Sequence, residues 1–266
     1  MKKNLPESLL AVLVALSAVI GFILRRSQLA FEILSDGSLA ADSYRYIVLA
    51  VLTFVLLAAL IALLLPLRRD ADYRLYFTDA PLPNALQLVA AFGLICGNIV
   101  VWIVGRAPAT ALATQSPVVS EALTAMMAPL GLVSAVCIGI FAIVRISGKK
   151  PSALLYMIAS VSLVVRLIVY FQEWNTDPSI HDYCFQLLAA ICSMLSFFQL
   201  AGFPLERGKR RMSLFWCLSA VYFCGITGAD ALAHGALDEI LINGSLLLSL
   251  GVSSAQLLFP RGTAED

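Results

Sequence analysis

The chain has 266 residues, 60% hydrophobic and 13% charged, with a formal net charge of +1. Soluble domains are about half apolar and a quarter charged, so no water-soluble fold of this length hides so much apolar surface, and the solvent has to be lipid. A charge balance this close to neutral gives no electrostatic basis for nucleic-acid binding.

Eight apolar segments follow one another at about 8–24, 46–66, 84–104, 122–144, 152–172, 181–203, 212–229 and 237–258. Each is near the roughly 20 residues a helix needs to cross the hydrocarbon core. None shows the ten-residue alternation of a membrane β-strand. The expected fold is therefore all-α: a polytopic helical membrane protein with about eight transmembrane helices, forming a single bundle over 1–266.

The first segment follows Lys2 and Lys3 and has the outline of a signal peptide. It is as long as a short span and no small-x-small cleavage site follows, so it is expected to stay as the first helix. Residues 25–45 then form a long loop lying partly in the interface. The third segment carries Gln87 and Asn98, with Gly93 and Gly97 at the small-xxx-small spacing that lets helices approach. The 105–121 loop, rich in Pro, Thr and Ser, reads as exposed coil. In the fifth segment Ser162, Arg166, Tyr170 and Glu173 share a face. In the sixth, Asp182, Gln186, Ala189, Ser193 and Ser196 do. The seventh is short, with a weakly polar stripe of Ser213, Cys217, Ala220, Cys224 and Thr227, and ends near Asp230. The eighth starts a polar line with Glu239 and Asn243, followed by Ser245, Ser249 and Gln256 on a neighbouring face.

Basic residues are sorted between alternate loops. One side receives thirteen of the eighteen: Lys2, Lys3, Arg68, Arg69, Arg74, Arg145, Lys149, Lys150, Arg207, Lys209, Arg210, Arg211 and Arg261. The other receives four, Arg25, Arg26, Arg45 and Arg106. The positive-inside rule places both termini in the cytoplasm of a cell-membrane protein. The first hairpin opposes this, since it leaves Arg25 and Arg26 outside. The outer loops lean acidic, with Glu173, Asp177, Asp182, Asp230, Asp238 and Glu239, and they hold both histidines, His181 and His234. The segments LPLRR (Leu65–Arg69) and FPLER (Phe203–Arg207) end the second and sixth spans. A duplication into halves 1–145 and 146–266 would put them in register. Proline stopping a helix beside a cytoplasmic arginine explains them without duplication.

Arg166 is the one basic residue inside a span. A charged arginine at mid-helix costs about 2.5–3.5 kcal/mol on insertion scales and calls for water or a partner. Its candidate partners are Glu173, Asp182, Asp230, Asp238 and Glu239. It also lies about 7–8 Å from the end of its span at 1.5 Å per residue, within reach of the interface by snorkelling. Lipid-facing snorkel, structural ion pair and ligand counter-ion are the readings left open. The cytoplasmic clusters RISGKK (Arg145–Lys150) and RGKRR (Arg207–Arg211) are suited to anionic headgroups, and orientation alone also explains them.

No GxxxxGK[ST], HExxH or GxSxG is present, and no lysine falls in a span. The six cysteines lie in apolar runs without CxxC and read as reduced core residues. No cofactor and no metal site are expected. Asn243-Gly-Ser245 matches a glycosylation pattern but falls inside a span. The stretch Tyr183–Tyr222, with its section GFPLERGKRRMSLFWCLSAVYFCG, resembles uncharacterised multi-pass membrane proteins of anaerobic Gram-positive bacteria. That resemblance implies a multi-pass membrane protein and no particular activity.

These residues favour a small-molecule binding or transport protein with an outward-facing polar cavity in spans five to eight. Arg166 would be the counter-ion of a small anionic ligand, with Tyr170, Glu173, Asp182, Gln186, Asp230, Glu239 and Asn243 as further ligand- or ion-binding candidates. The alternative is a non-catalytic membrane partner or sensor subunit of a larger complex. An enzyme acting on lipid-linked substrates, with Asp182 or Asp230 as base, has only acids beside a cavity in its favour.

Overall fold

The computed structural model describes residues 5–32, 44–67, 73–77, 81–104, 121–174 and 180–259, which are helical apart from short connections and include no strand. The helices are α1 (Leu5–Phe31), α2 (Tyr44–Leu64), α3 (Tyr73–Phe77), α4 (Pro81–Val104), α5 (Glu121–Ile146), α6 (Ala153–Trp174), α7 (Ile180–Leu200), α8 (Arg210–His234) and α9 (Leu237–Leu258). Seven are long and apolar enough to cross a membrane, and the apolar part of α7, Cys184–Leu200, is shorter. The protein is a polytopic helical membrane protein, and all eight expected segments correspond to long helices.

The long helices alternate in direction. Six close a ring in which α4 packs on α5, α5 on α6, α6 on α7, α7 on α8, α8 on α9 and α9 back on α4. Helix α1 packs outside the ring on α8, with α2 against α1. This explains why α8, the segment that looked weakest in sequence, is the most buried of the seven long apolar helices. It runs 25 residues, well beyond the expected 212–229, and ends at Gly235, whose φ of 66° closes a tight turn into α9. The outer faces of α1 and α2 present Leu9, Leu16, Ile23, Val51, Phe54 and Ile61 outward, as a lipid-facing surface should.

Helices in lipid gain little from apolar burial and associate through close packing. Gly93 and Gly97 supply it between α4 and α9. A Cβ on Gly97 would lie 2.6 Å from Ile242, and one on Gly93 would overlap the Ser245 hydroxyl. Elsewhere small polar residues bond their own helix: Ser196 Oγ donates to Cys192 O at 2.6 Å and Thr227 Oγ1 to Phe223 O at 3.1 Å. The stripes of Ser193 and Cys224 face each other between α7 and α8, 3.7 Å apart. They serve as packing surface between the two helices.

Two ends of the bundle can be distinguished. At the basic end, Arg210 on α8 meets Glu7 on α1 at 2.9 Å and donates to the Leu257 and Leu258 carbonyls, which the end of α9 leaves unpaired. Lys150 meets Glu206 there at 2.8 Å, linking the α5–α6 and α7–α8 connections. The opposite end holds the start of α9 and the end of α6.

Candidate functional site

Arg166 points into the ring. Its residue is 8% exposed, so snorkelling to the interface is not its arrangement. Arg166 Nε donates to Tyr170 Oη at 2.6 Å, one turn along α6, and the guanidinium lies over the same ring at 5.2 Å. Tyr170 Oη donates in turn to Glu239 Oε1 at 3.5 Å, and Gln186 Nε2 donates to that oxygen at 2.6 Å. Three helices, α6, α7 and α9, thus bring together four of the residues singled out in sequence: Arg166, Tyr170, Gln186 and Glu239. Among the described residues no carboxylate lies within ion-pair distance of Arg166. Glu239 reaches it only through the phenol. Asn243 follows one turn after Glu239 on α9 and is 8% exposed. The side chains of Glu173 and Asp182 lie outside the described residues, as do the loops 33–43, 105–120 and 175–179.

Beneath Arg166 the ring encloses a small cavity of about 20 Å³. Its polar wall is Asn98 of α4, Ser134 of α5, and Ser162 and Arg166 of α6, with Phe197 of α7 and Ile242 and Leu246 of α9 completing it. About 10–15 Å³ suffices for one water, so the space takes one small polar species. Asn98 fixes its amide by donating from Nδ2 to Leu94 O at 2.8 Å, which leaves Oδ1 to the interior. Gly131 on α5 makes room for it, since a Cβ there would overlap Asn98 Oδ1. Two residues earlier Pro129 removes a backbone donor from α5 beside the cavity. The sequence had placed the cavity in spans five to eight. The structure draws half of its polar wall from α4 and α5, and α8 contributes none of it.

Asp230 belongs to a different cluster. Arg25 on α1 is 1% exposed and donates from Nε to Asp230 Oδ1 at 2.6 Å. A second donor reaches Gln28 Oε1 at 3.0 Å, and the guanidinium lies 5.6 Å from the Phe185 ring centre. Arg25 had been placed in an outer loop because the apolar run stops at Leu24. Helix α1 instead continues to Phe31 and carries Arg25 and Gln28 into the bundle. The i, i+3 spacing of Arg25 and Gln28 was the available signal, and it lay past the apparent end of the span.

A polar seam continues along α9 below the cavity. Gln87 on α4 donates to Ser249 O at 2.7 Å and to Ser253 Oγ at 2.9 Å, and accepts from Ser249 Oγ at 2.7 Å. One turn further, Gln256 Oε1 accepts from Arg145 at 2.7 Å. Arg145 is 4% exposed, lies over Phe77 at 4.7 Å and faces no carboxylate among the described residues. Arg145 Nε, Gln256 Nε2 and Tyr73 Oη are buried donors without partners. Burial pushes the Tyr73 phenol up, so it stays a donor. From Glu239 to Gln256 the seam runs about 25 Å at 1.5 Å per residue, most of a hydrocarbon core of about 30 Å. Between the cavity and the Arg145 group stand Phe141, Tyr156 and Phe197, with Phe141 and Tyr156 stacked at 3.7 Å and Tyr156 5.5 Å from Phe197. They fill the ring at that level.

No family model, curated protein or solved structure matches the chain. No group of three or more His, Cys, Asp or Glu among the described residues has a metal-binding arrangement.

Proposed function

We propose that the protein binds a small anion inside the six-helix ring, at Arg166, and passes it across the membrane along α9. One observation carries this reading: a buried guanidinium that opens on a cavity and has no carboxylate at ion-pair distance among the described residues. Burying an arginine without a direct counter-ion is costly, and a site for an anion accounts for that cost. Asn98, Ser134 and Ser162 supply the polar wall that replaces the hydration of a small ion. The volume suits a halide-sized species or the anionic end of a larger ligand. Arg145, whose Nε is a buried donor without a partner at the other end of the seam, is suited to receive the same charge. Phe141, Tyr156 and Phe197 would close the route between the two arginines. The sorting of basic residues supports a cell-membrane protein with both termini in the cytoplasm, which turns Arg166 towards the outside.

The test is anion-dependent stability of the purified protein in detergent. Sodium salts of chloride, bromide, nitrate and formate would be titrated at constant ionic strength, balanced with gluconate. A ligand that binds only the folded state raises stability by about 2.7 kcal/mol at 100 times its Kd. Wild type should rise in Tm with at least one of these anions, and Arg166→Gln should not. Identical responses of the two proteins would sink the binding reading. Chloride-loaded proteoliposomes then separate binding from transport: anion efflux in wild type that Arg166→Gln abolishes supports passage.

A further inference from the structure

Outside the ring, at the basic end, α2 and the start of α8 leave a groove of about 710 Å³ between them. This falls within the roughly 300–1,000 Å³ of ligand sites. One wall is Ile61 of α2 and Leu65 just past its end, the other Phe215 and Trp216 of α8, and Lys209 and Arg211 stand at the mouth. Ile61 and Leu65 are 53% and 63% exposed, so the groove opens sideways on the surface that faces lipid. We propose that it binds one anionic phospholipid, with an acyl chain along the apolar walls and the phosphate at Lys209 and Arg211.

Charge and position argue for this occupant. Among the described residues no acid lines the groove. Arg210 is neutralised by Glu7, but Lys209 has no partner among the described residues, and Arg211 uses only Nε, on the Leu67 carbonyl. Among the described residues the mouth therefore carries two cations, Lys209 and Arg211, with no facing carboxylate. No side chain caps the start of α8, so its first backbone N–H groups add positive potential at the same place. Apolar walls below and cations at the helix end match the boundary between acyl chain and headgroup. A ligand arriving from water would have to cross the basic mouth to reach apolar walls that already face the bilayer. Each nearby basic residue contributes about 1 kcal/mol of attraction to an anionic leaflet, and the groove adds a defined seat for the chain.

Trp216 is a built-in reporter. In a Trp102→Phe, Trp174→Phe background it is the only tryptophan. The protein would be reconstituted in phosphatidylcholine vesicles with increasing fractions of phosphatidylglycerol, one or the other lipid carrying brominated acyl chains. Trp216 should be half-quenched at a several-fold lower mole fraction of brominated phosphatidylglycerol than of brominated phosphatidylcholine. Lys209→Gln with Arg211→Gln should equalise the two lipids. Lys209→Gln alone, which breaks no side-chain contact among the described residues, should remove part of the preference and guards against loss of fold in the double variant. Equal quenching by both lipids in the parent, or a preference that survives the double variant, would overturn the proposal. So would the absence of quenching by either lipid, since the groove would then be covered by protein.

Discussion

Two buried arginines near the same end of the bundle are treated in opposite ways. Arg25 has a carboxylate at 2.6 Å, an amide oxygen at 3.0 Å and an aromatic face. Arg166 has a phenol at 2.6 Å, reaches Glu239 only through that phenol, and opens on a cavity. The first arrangement compensates its charge within the protein and fixes α1 to α8. The second offers no carboxylate at ion-pair distance among the described residues, as the proposed anion site requires. On the proposed reading the same residue type in lipid is a packing device in one place and a recognition device in the other, and the position of the nearest described carboxylate separates them.

The contrast can be broken most forcefully at Arg25. Arg25→Ala strands Asp230 in the bundle and should cost about 3–5 kcal/mol, read as a fall in Tm in detergent. The paired replacement Arg25→Met with Asp230→Leu should recover most of that loss, because it removes both charges. If Arg25→Ala unfolds at the wild-type temperature, the pair is not structural. Gly131→Val comes next. Its added atoms collide with Asn98 and should cost about 1–3 kcal/mol by overpacking while abolishing the anion-dependent rise in Tm. Arg166→Gln should cost about 1.5–3 kcal/mol, the worth of a hydrogen bond from a charged donor to Tyr170, yet lose the anion response altogether. A stability loss as large as that of Arg25→Ala would place Arg166 in the structural class. Smallest is Lys150→Ala, which removes an exposed pair with Glu206 and should cost about 1 kcal/mol or less.

Much of this was legible in the sequence. Runs of apolar residues near 20 long placed all eight long helices, because helical hydrogen bonding leaves the lipid-exposed chain no other form. Helical spacing put Arg166 and Tyr170 on one face, and they are bonded. Their convergence with Gln186 and Glu239 could not be read from one helix, since it depends on ring closure by α4 and α9. Ser134 gave no signal, being one serine in an apolar run. Arg25 was misplaced because hydropathy ends a span at the first charge, whereas a paired charge lets the helix continue inside the protein. Arg145, read as a cytoplasmic residue that marks orientation or meets headgroups, lies inside the bundle for a similar reason. Helix α3, five residues in a connection rich in charge, carries too little apolar periodicity to be seen.

The central claim is that Arg166 lines an interior that water and a small anion can enter. It is tested most directly by Arg166→Cys in a version lacking the six native cysteines, reconstituted in sealed vesicles and exposed to a membrane-impermeant thiol reagent. The account predicts labelling from one face of the membrane only, slowed by the anion that stabilises the wild type. A thiol that remains unlabelled from both faces, while a cysteine placed in an exposed connection reacts, would contradict it and leave Arg166 as a sealed structural contact.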